Sequence, residues 1–235
     1  ERLNYYIVDS FQTIIDSEMI NKQKREIEKL NHEITELSKI DFLTNLLNRR
    51  AFFEALEAEK KRTVRDNWRL TATTHCVKDC SYDFTANPDG KFLDHYGRFC
   101  CVLIDIDFFK KINDNYGHLI GDQVLKKIGE VLNNKSIFRE NDIIGRYGGE
   151  EFILVLPETN SNNAKIPTNR LREYVKTIDF YDDKGNVFHI SISIGLSEFN
   201  PNDKTNEDLI QRADQALYVA KQQGRDRVVV YEEIF

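Results

Sequence analysis

Residues Ile143-Ile144-Gly145-Arg146-Tyr147-Gly148-Gly149-Glu150-Glu151-Phe152-Ile153-Leu154-Val155-Leu156 decide how the rest of the chain is read. β-Branched and aromatic residues fill the runs on either side of a Gly-Gly pair, which predicts two strands joined by a hairpin. Adjacent glycines tolerate positive φ and carry no Cβ, so a flat or bulky ligand can lie on the backbone at Gly148 and Gly149. Two acids follow at once. Side chains alternate along a strand, so Glu150 and Glu151 are expected on opposite faces, one toward a metal and the other turned away. Solvated acids beside glycine turns are common, and the hairpin by itself does not make a site.

A second acidic centre lies upstream. Phe99-Cys100-Cys101-Val102-Leu103-Ile104-Asp105-Ile106-Asp107 is nearly continuous apolar sequence ending in acids, the pattern of a fully buried central strand. A carboxylate inside such a strand is costly unless a cation compensates it, which makes Asp105 a candidate metal ligand. The connection that follows, Phe108 to Asp122, is dense in hydrogen-bonding groups suited to reading a polar ring. Val124, Leu125, Ile128, Val131 and Leu132 then mark an amphipathic helix packed on the sheet.

The 235 residues carry 33 Lys and Arg against 39 Asp and Glu, a net charge of −6. Such a balance argues against a nucleic-acid polymer as partner, because that binding needs a positive face to displace counterions. Small phosphorylated ligands remain compatible. No run is long and apolar enough to span a membrane, so a cytoplasmic location is expected. The chain opens at Glu1 rather than at a methionine, and a longer protein with an upstream sensing or membrane part is expected. Four cysteines in a chain of this size do not form a disulfide framework, so reduced thiols are expected.

Residues 1–40 read as a signalling and dimerisation helix. Ile20, Ile27 and Ile34 recur every seven residues, with Leu30 and Leu37 at the complementary positions. β-Branched residues at a and leucine at d favour a parallel two-stranded coiled coil. Ile7 and Ile14 stand one residue out of phase, a slip that lets the pair adopt two registers. The alternative is a single amphipathic helix packed on its own domain; the narrow seam and charged flanks favour the coiled coil. Residues 41–235 form the second domain. Within it a helix is expected over Ala51–Lys61, capped by Asp41 or Thr44. Residues 66–98 form an aperiodic excursion holding His75, Cys76, Cys80 and His95 at spacings that match no zinc signature. A helix over Asn169–Thr177, with Pro167 at its first turn, precedes a strand over Val187–Phe199 with one wet face. A helix over Leu209–Gln222 is stopped by Gly224, and Val228–Tyr231 is the last strand. The order is that of an α+β fold, a mixed central sheet flanked by helices.

Several stretches coincide in one family. Asp41-Phe42-Leu43-Thr44, Asn48-Arg49-Arg50, Asp105 through Asp114, Gly117-His118, Gly121-Asp122, Arg146 through Phe152, Ser193-Ile194-Gly195, Ala216-Leu217-Tyr218 and Lys221 through Arg227 together resemble the GGDEF family of diguanylate cyclases, here with Glu150 in place of the motif's aspartate. The resemblance runs from about residue 39 to the end, in the family's order and spacing, and linked motifs are far more specific than a lone glycine pair. It implies a palm-like fold related to nucleotidyl cyclases, and condensation of two GTP into cyclic di-GMP and two pyrophosphates between two domains of a homodimer. The alternative is a non-catalytic sensor of GTP or cyclic di-GMP.

Carried onto this chain, the resemblance implies magnesium, with manganese as its substitute, held by Asp105, the Ile106 carbonyl and Glu150. Asn113 and Asp122 would read the guanine edge, with His118 between them. Gly148 and Gly149 would underlie the nucleotide, and Lys110, Lys221 and Arg225 would neutralise phosphate charge. Glu151, or Glu150 through the metal, would help remove the 3′-hydroxyl proton. Arg139 and Asp142 would form an inhibitory product site. Asn45 and Asp226 stand where the family often has Gly and Asn.

Overall fold

A strand buried along its whole length, β1 (Phe99–Ile106), is the centre of the fold. The computed structural model describes residues 19–29, 39–76 and 98–234, the stretch 67–76 by its backbone alone. The chain divides into two compact units, Glu1–Lys39 and Ile40–Phe235. In the first, residues 19–29 form helix α1 with Met19, Ile20 and Ile27 exposed. The other expected seam positions, Ile7, Ile14, Leu30, Ile34 and Leu37, lie outside the described residues, as do Cys80 and His95.

The second unit begins with α2 (Arg49–Cys76) and β1, followed by α3 (Phe109–Tyr116), α4 (His118–Leu132), β2 (Ile143–Arg146) and β3 (Glu151–Pro157). Then come α5 (Ser161–Lys176), a small hairpin β4 (Phe180–Tyr181) and β5 (Val187–Phe188), β6 (Ile192–Glu198), α6 (Asn206–Gln222) and β7 (Val228–Val230). The sheet order is β2-β3-β1-β6-β7. β1 is antiparallel to both neighbours, while β6 and β7 run parallel, so the sheet is mixed as expected.

The two faces of β1 bury different partners. Cys100, Val102, Ile104 and Ile106 pack with Val124, Leu125 and Ile128 of α4 and Leu171 and Val175 of α5. Phe99, Cys101 and Leu103 pack with Phe52 and Leu56 of α2 and Leu209, Ala213 and Leu217 of α6. This two-sided burial explains why the strand lacks polar alternation. Cys100 and Cys101 are buried free thiols. Among the described residues no helix is long and apolar enough to cross a membrane.

Four local expectations are corrected. α2 runs on to Cys76, so the first part of the 66–98 stretch is helix rather than aperiodic chain. Its cap is Asn48, whose Oδ1 accepts from Ala51 N at 2.9 Å, because Asp41 is engaged by Thr44 and Arg146 instead. Pro167 lies inside α5, which starts at Ser161 under an Asn160 cap. A proline there has no N–H to give the carbonyl of Asn163 one turn back, and just beyond it Thr168 Oγ1 and Asn169 Nδ2 donate to the carbonyls of Ala164 and Lys165. Finally, Val187–Phe199 is two strands broken at 189–191, and Ile192–Leu196 is buried on both faces because α5 covers one side and α6 the other.

α6 and its exit follow local rules. Thr205 and Asp208 form a reciprocal capping box at its start. At its end Arg225 N donates to Ala220 O at 3.0 Å past Gly224 at φ 111°, a Schellman closure. Asn45 has φ 56°, which explains why the position favours glycine or asparagine.

Candidate active site

Alternation along β1 decides where its acids go. The odd positions face α2 and α6, so Asp105 continues that row at the open end of the strand. Lys221, from the last turn of α6, meets it with Nζ 2.8 Å from Asp105 Oδ2. Asp105 is 6% exposed. Burial pushes its carboxyl above the ordinary aspartate range, against the pull of Lys221 and Arg225, and the nearby Asp107 adds to the rise.

Glu151 is paired with Asp105 in the β1–β3 register, so the two carboxyls share one sheet face. Glu150 sits at the hairpin turn, where its carbonyl accepts from Ile106 N at 3.4 Å. Both glutamates are held above their usual range, first by burial and then by the charge of Asp105, with Lys221 opposing. It is Glu151 that strand pairing places on the face of Asp105. Glu150 belongs to the turn rather than to the strand, and strand alternation does not govern it.

Gly148 and Gly149 form the tip as expected, but neither uses positive φ. Their role is the missing side chain: a Cβ at Gly148 would lie 2.7 Å from Glu151 Oε2, and the space at Gly149 is open. The tip is held by Arg146, whose Nε and Nη2 donate to the carbonyls of Gly148 and Gly149 at 3.2 and 2.7 Å. Sequence reasoning left Arg146 without a role, although a cation two residues before the glycines was the signal.

The sequence by itself assigns no role to Asp107 either. It is 4% exposed and accepts from Ser191 Oγ at 2.6 Å, Ser193 Oγ at 2.7 Å and Asp226 N at 3.1 Å. These contacts tie the end of β1 to β6 and to the turn after α6. Asp226 in turn accepts from Arg172 at 2.7 Å and Lys176 at 3.1 Å; burial alone would raise its carboxyl, and these two cations hold it below the ordinary range.

The remaining candidates on this side sit at the corner between α3 and α4, turned at Gly117. Asn113 packs its carboxamide so tightly on Gly121 that a Cβ there would come within 1.9 Å of Asn113 Oδ1. His118 and Asp122 are exposed one turn apart on α4, and Lys110 is exposed in the first turn of α3. Arg139 and Asp142 lie elsewhere, in a cleft of about 570 Å³ walled also by Lys135, Ile166 and Arg170. Asp142 Oδ2 accepts from Arg139 N at 2.7 Å, and burial raises the Asp142 carboxyl. Arg170, which donates to the Ile137 carbonyl, is a cation of this cleft that sequence reasoning missed, since only the fold brings α5 beside it.

Residues 91–227 match the family model described as diguanylate cyclase, GGDEF domain. Diguanylate cyclase A of Treponema denticola is 40% identical over 147 residues, covering 63% of this chain and 38% of the relative. Diguanylate cyclase DgcP of Pseudomonas aeruginosa is 37% identical over 190 residues, covering 81% of this chain and 23% of the relative. The chain thus spans well under half the length of these relatives. Among solved structures, the GGDEF domain of DgcB from Caulobacter crescentus in complex with c-di-GMP superposes with a TM-score of 0.63 at 28% identity, covering 83% of this chain and 93% of that one. Diguanylate cyclase SiaD in complex with its activator SiaC from Pseudomonas aeruginosa gives 0.64 at 29% identity, covering 97% and 75%. A mixed sheet whose central strand ends in a lysine-paired acid beside a Gly-Gly tip, in a chain that the family model matches over residues 91–227, means that the chain belongs to the GGDEF family of diguanylate cyclases.

Proposed function

We propose that this chain condenses two GTP into cyclic di-GMP, releasing two pyrophosphates, with each domain of a homodimer holding one GTP. The observation that carries the reading is the Asp105–Lys221 pair beside the raised carboxyls of Glu150 and Glu151. Carboxyls raised by burial and by the charge of a neighbouring aspartate are a site that a divalent cation relieves. Among the described residues no three His, Cys, Asp or Glu side chains form a ready metal cluster, so the donor set proposed is Asp105, Glu150 and the Ile106 carbonyl. Magnesium, or manganese in its place, when bound there neutralises triphosphate charge and lowers the pKa of the attacking hydroxyl.

The chain's own groups do the rest. Asn113 and Asp122 accept and donate along the guanine edge, with His118 beside them, and the bare backbone of Gly148 and Gly149 leaves room for the nucleotide. Lys110, Lys221 and Arg225 hold the phosphates and balance charge as pyrophosphate departs. Glu151 accepts the 3′-hydroxyl proton as the new oxygen–phosphorus bond forms at the α-phosphate and the bond to pyrophosphate breaks. The two reacting groups belong to different domains, so the N-terminal helix acts by raising the local concentration of the second copy. An upstream sensor would act through the register of that helix. Cyclic di-GMP, the ligand of the DgcB neighbour, is assigned as the occupant of the Arg139–Asp142 cleft and as a feedback inhibitor.

The test is incubation of the purified chain with GTP and magnesium, following pyrophosphate and identifying the nucleotide formed, with Glu150→Gln as control. Cyclic di-GMP from the unmodified chain alone is the expected result. A dimeric chain that binds GTP and makes no product would instead be a sensor.

A further inference from the structure

Phe108 caps α3 with its carbonyl, which accepts from Lys111 N and Ile112 N, but its side chain is left unexplained by the fold and by the reaction. It has φ 58°, an unfavourable conformation for a bulky residue, and it is 50% exposed. Its ring belongs to neither core cluster. What the ring does touch is charge: the Arg225 guanidinium carbon lies 4.3 Å from its centroid, and Lys111 Nζ lies 4.6 Å from it.

We infer that Phe108 is a positioning residue, whose ring face fixes the Arg225 guanidinium for the triphosphate of the nucleotide. The inference rests on the reading of Arg225 as a phosphate-binding group. Arginine has several freely rotating side-chain bonds, and ordering them only when the ligand arrives weakens binding. Here the ordering is done beforehand from two sides. The ring holds the face of the guanidinium, while Asp107 Oδ1 stands 4.0 Å from Arg225 Nε.

The backbone supports the same end. Arg225 and Asp226 both have positive φ, at 64° and 46°. That turn is pinned by Asp226 N on Asp107 Oδ2 and by Arg227 Nε on the Arg225 carbonyl at 3.0 Å. With Phe108 in the left-handed conformation, its ring lies against the residue that this turn presents.

The test uses the full chain with GTP and magnesium, and reads equilibrium affinity for GTP alongside KM and kcat. Phe108→Leu should weaken GTP affinity and raise KM about two- to fivefold, the size of a half-exposed cation–π contact, with kcat changed less. Phe108→Tyr should restore both. In an Arg225→Ala background Phe108→Leu should have no further effect. The Arg225 Hδ protons should show an upfield ring-current shift by NMR, lost in Phe108→Leu and kept in Phe108→Tyr; this readout needs no activity. A normal GTP affinity in Phe108→Leu, the same loss with Arg225 already removed, or no ring-current shift in the unmodified chain each overturns the inference. A chain that binds GTP yet forms no cyclic product overturns the cyclase reading alone, and the binding series still decides Phe108. A chain that binds no GTP overturns both.

Discussion

Arg146 Nη1 donates to both carboxylate oxygens of Asp41 at 3.2 Å, across 105 residues of sequence, while its other nitrogens hold the carbonyls of the glycine tip. Asp41 stands at the entrance to the domain, so one guanidinium joins the entering chain to the hairpin over the acidic site. Both side chains are only 16% exposed, which lifts this pair above an ordinary surface ion pair.

Asp41→Asn should therefore cost about 1–3 kcal/mol at neutral pH, the range for hydrogen bonds to charged groups. The sign with pH follows from the lowered pKa. Burial alone would raise the Asp41 carboxyl, but Thr44 and Arg146 hold it below the ordinary value of 3.8. Its contribution is complete above that value and disappears as pH falls through the lowered one. Urea unfolding at pH 7 and pH 3 should show the gap between the two chains narrowing in acid. An equal gap at both would mean that the ionised carboxylate contributes nothing.

Glu150→Gln should stabilise the metal-free chain while removing activity. The folded-state pKa of Glu150 is raised above the ordinary 4.5 by burial and by Asp105. Between those values the folded chain holds more protons than the unfolded one, so stability falls as pH rises through that window, and the penalty is complete above it. The amide carries no such penalty. Because the group is partly solvated, the gain should be small, a rise in Tm of roughly 1–3 °C at pH 7.5 and none below pH 4.5. Magnesium should stabilise the unmodified chain more than the variant. A variant with a lower Tm at pH 7.5 without metal would contradict the strained-acid account.

Two glycines that look alike in sequence should respond oppositely to alanine. At Gly121 the new methyl meets the end of the Asn113 side chain, 1.9 Å from Oδ1, which can swing away, and comes to 3.3 Å from Phe109 Cζ, which has to give by only a few tenths of an ångström. Gly121→Ala should fold normally, with helix propensity slightly improved, yet KM for GTP should rise by about tenfold as Asn113 is displaced. At Gly195 the methyl would meet backbone of α6, 2.1 Å from Ala213 O and 2.3 Å from Leu217 N. Gly195→Ala should cost about 3 kcal/mol or more, because neither chain segment can yield. Thermal unfolding with GTP titration separates the two effects.

These contrasts also show what was legible beforehand. The long apolar run 99–107 and the glycine-centred hairpin were readable because burial on both faces and a tight turn leave strong local patterns. The acid at 105 was readable because a carboxylate is costly in a buried strand. Asp107 was not, because its partners Ser191, Ser193 and Asp226 are 84 to 119 residues away and only sheet closure brings them in. Proline is locally unfavourable inside a helix, yet α5 runs through Pro167 because the buried stripe of Ala164, Thr168, Leu171 and Val175 outweighs one lost main-chain bond, and that burial belongs to the fold rather than to local propensity. The break at 189–191 was hidden by an unbroken alternation of polar and apolar residues.

Arg170 extends the expected inhibitory pair into a three-cation wall with Arg139 and Lys135, facing a cleft large enough for a nucleotide. Anionic cyclic dinucleotide would draw its affinity from these charges, and a single lost charge-assisted contact weakens such binding about tenfold or more. Arg139→Ala and Arg170→Ala should each raise the concentration of cyclic di-GMP needed for half-inhibition by that factor, without altering KM for GTP, since the cleft is built from residues separate from the acidic site. Arg170 also donates to the Ile137 carbonyl, so its loss should in addition loosen the 135–142 loop and speed amide exchange there. Product inhibition that persists unchanged in both variants would remove this cleft as the feedback site. A KM that rises in step with the inhibition constant would place the bound product at the acidic edge instead.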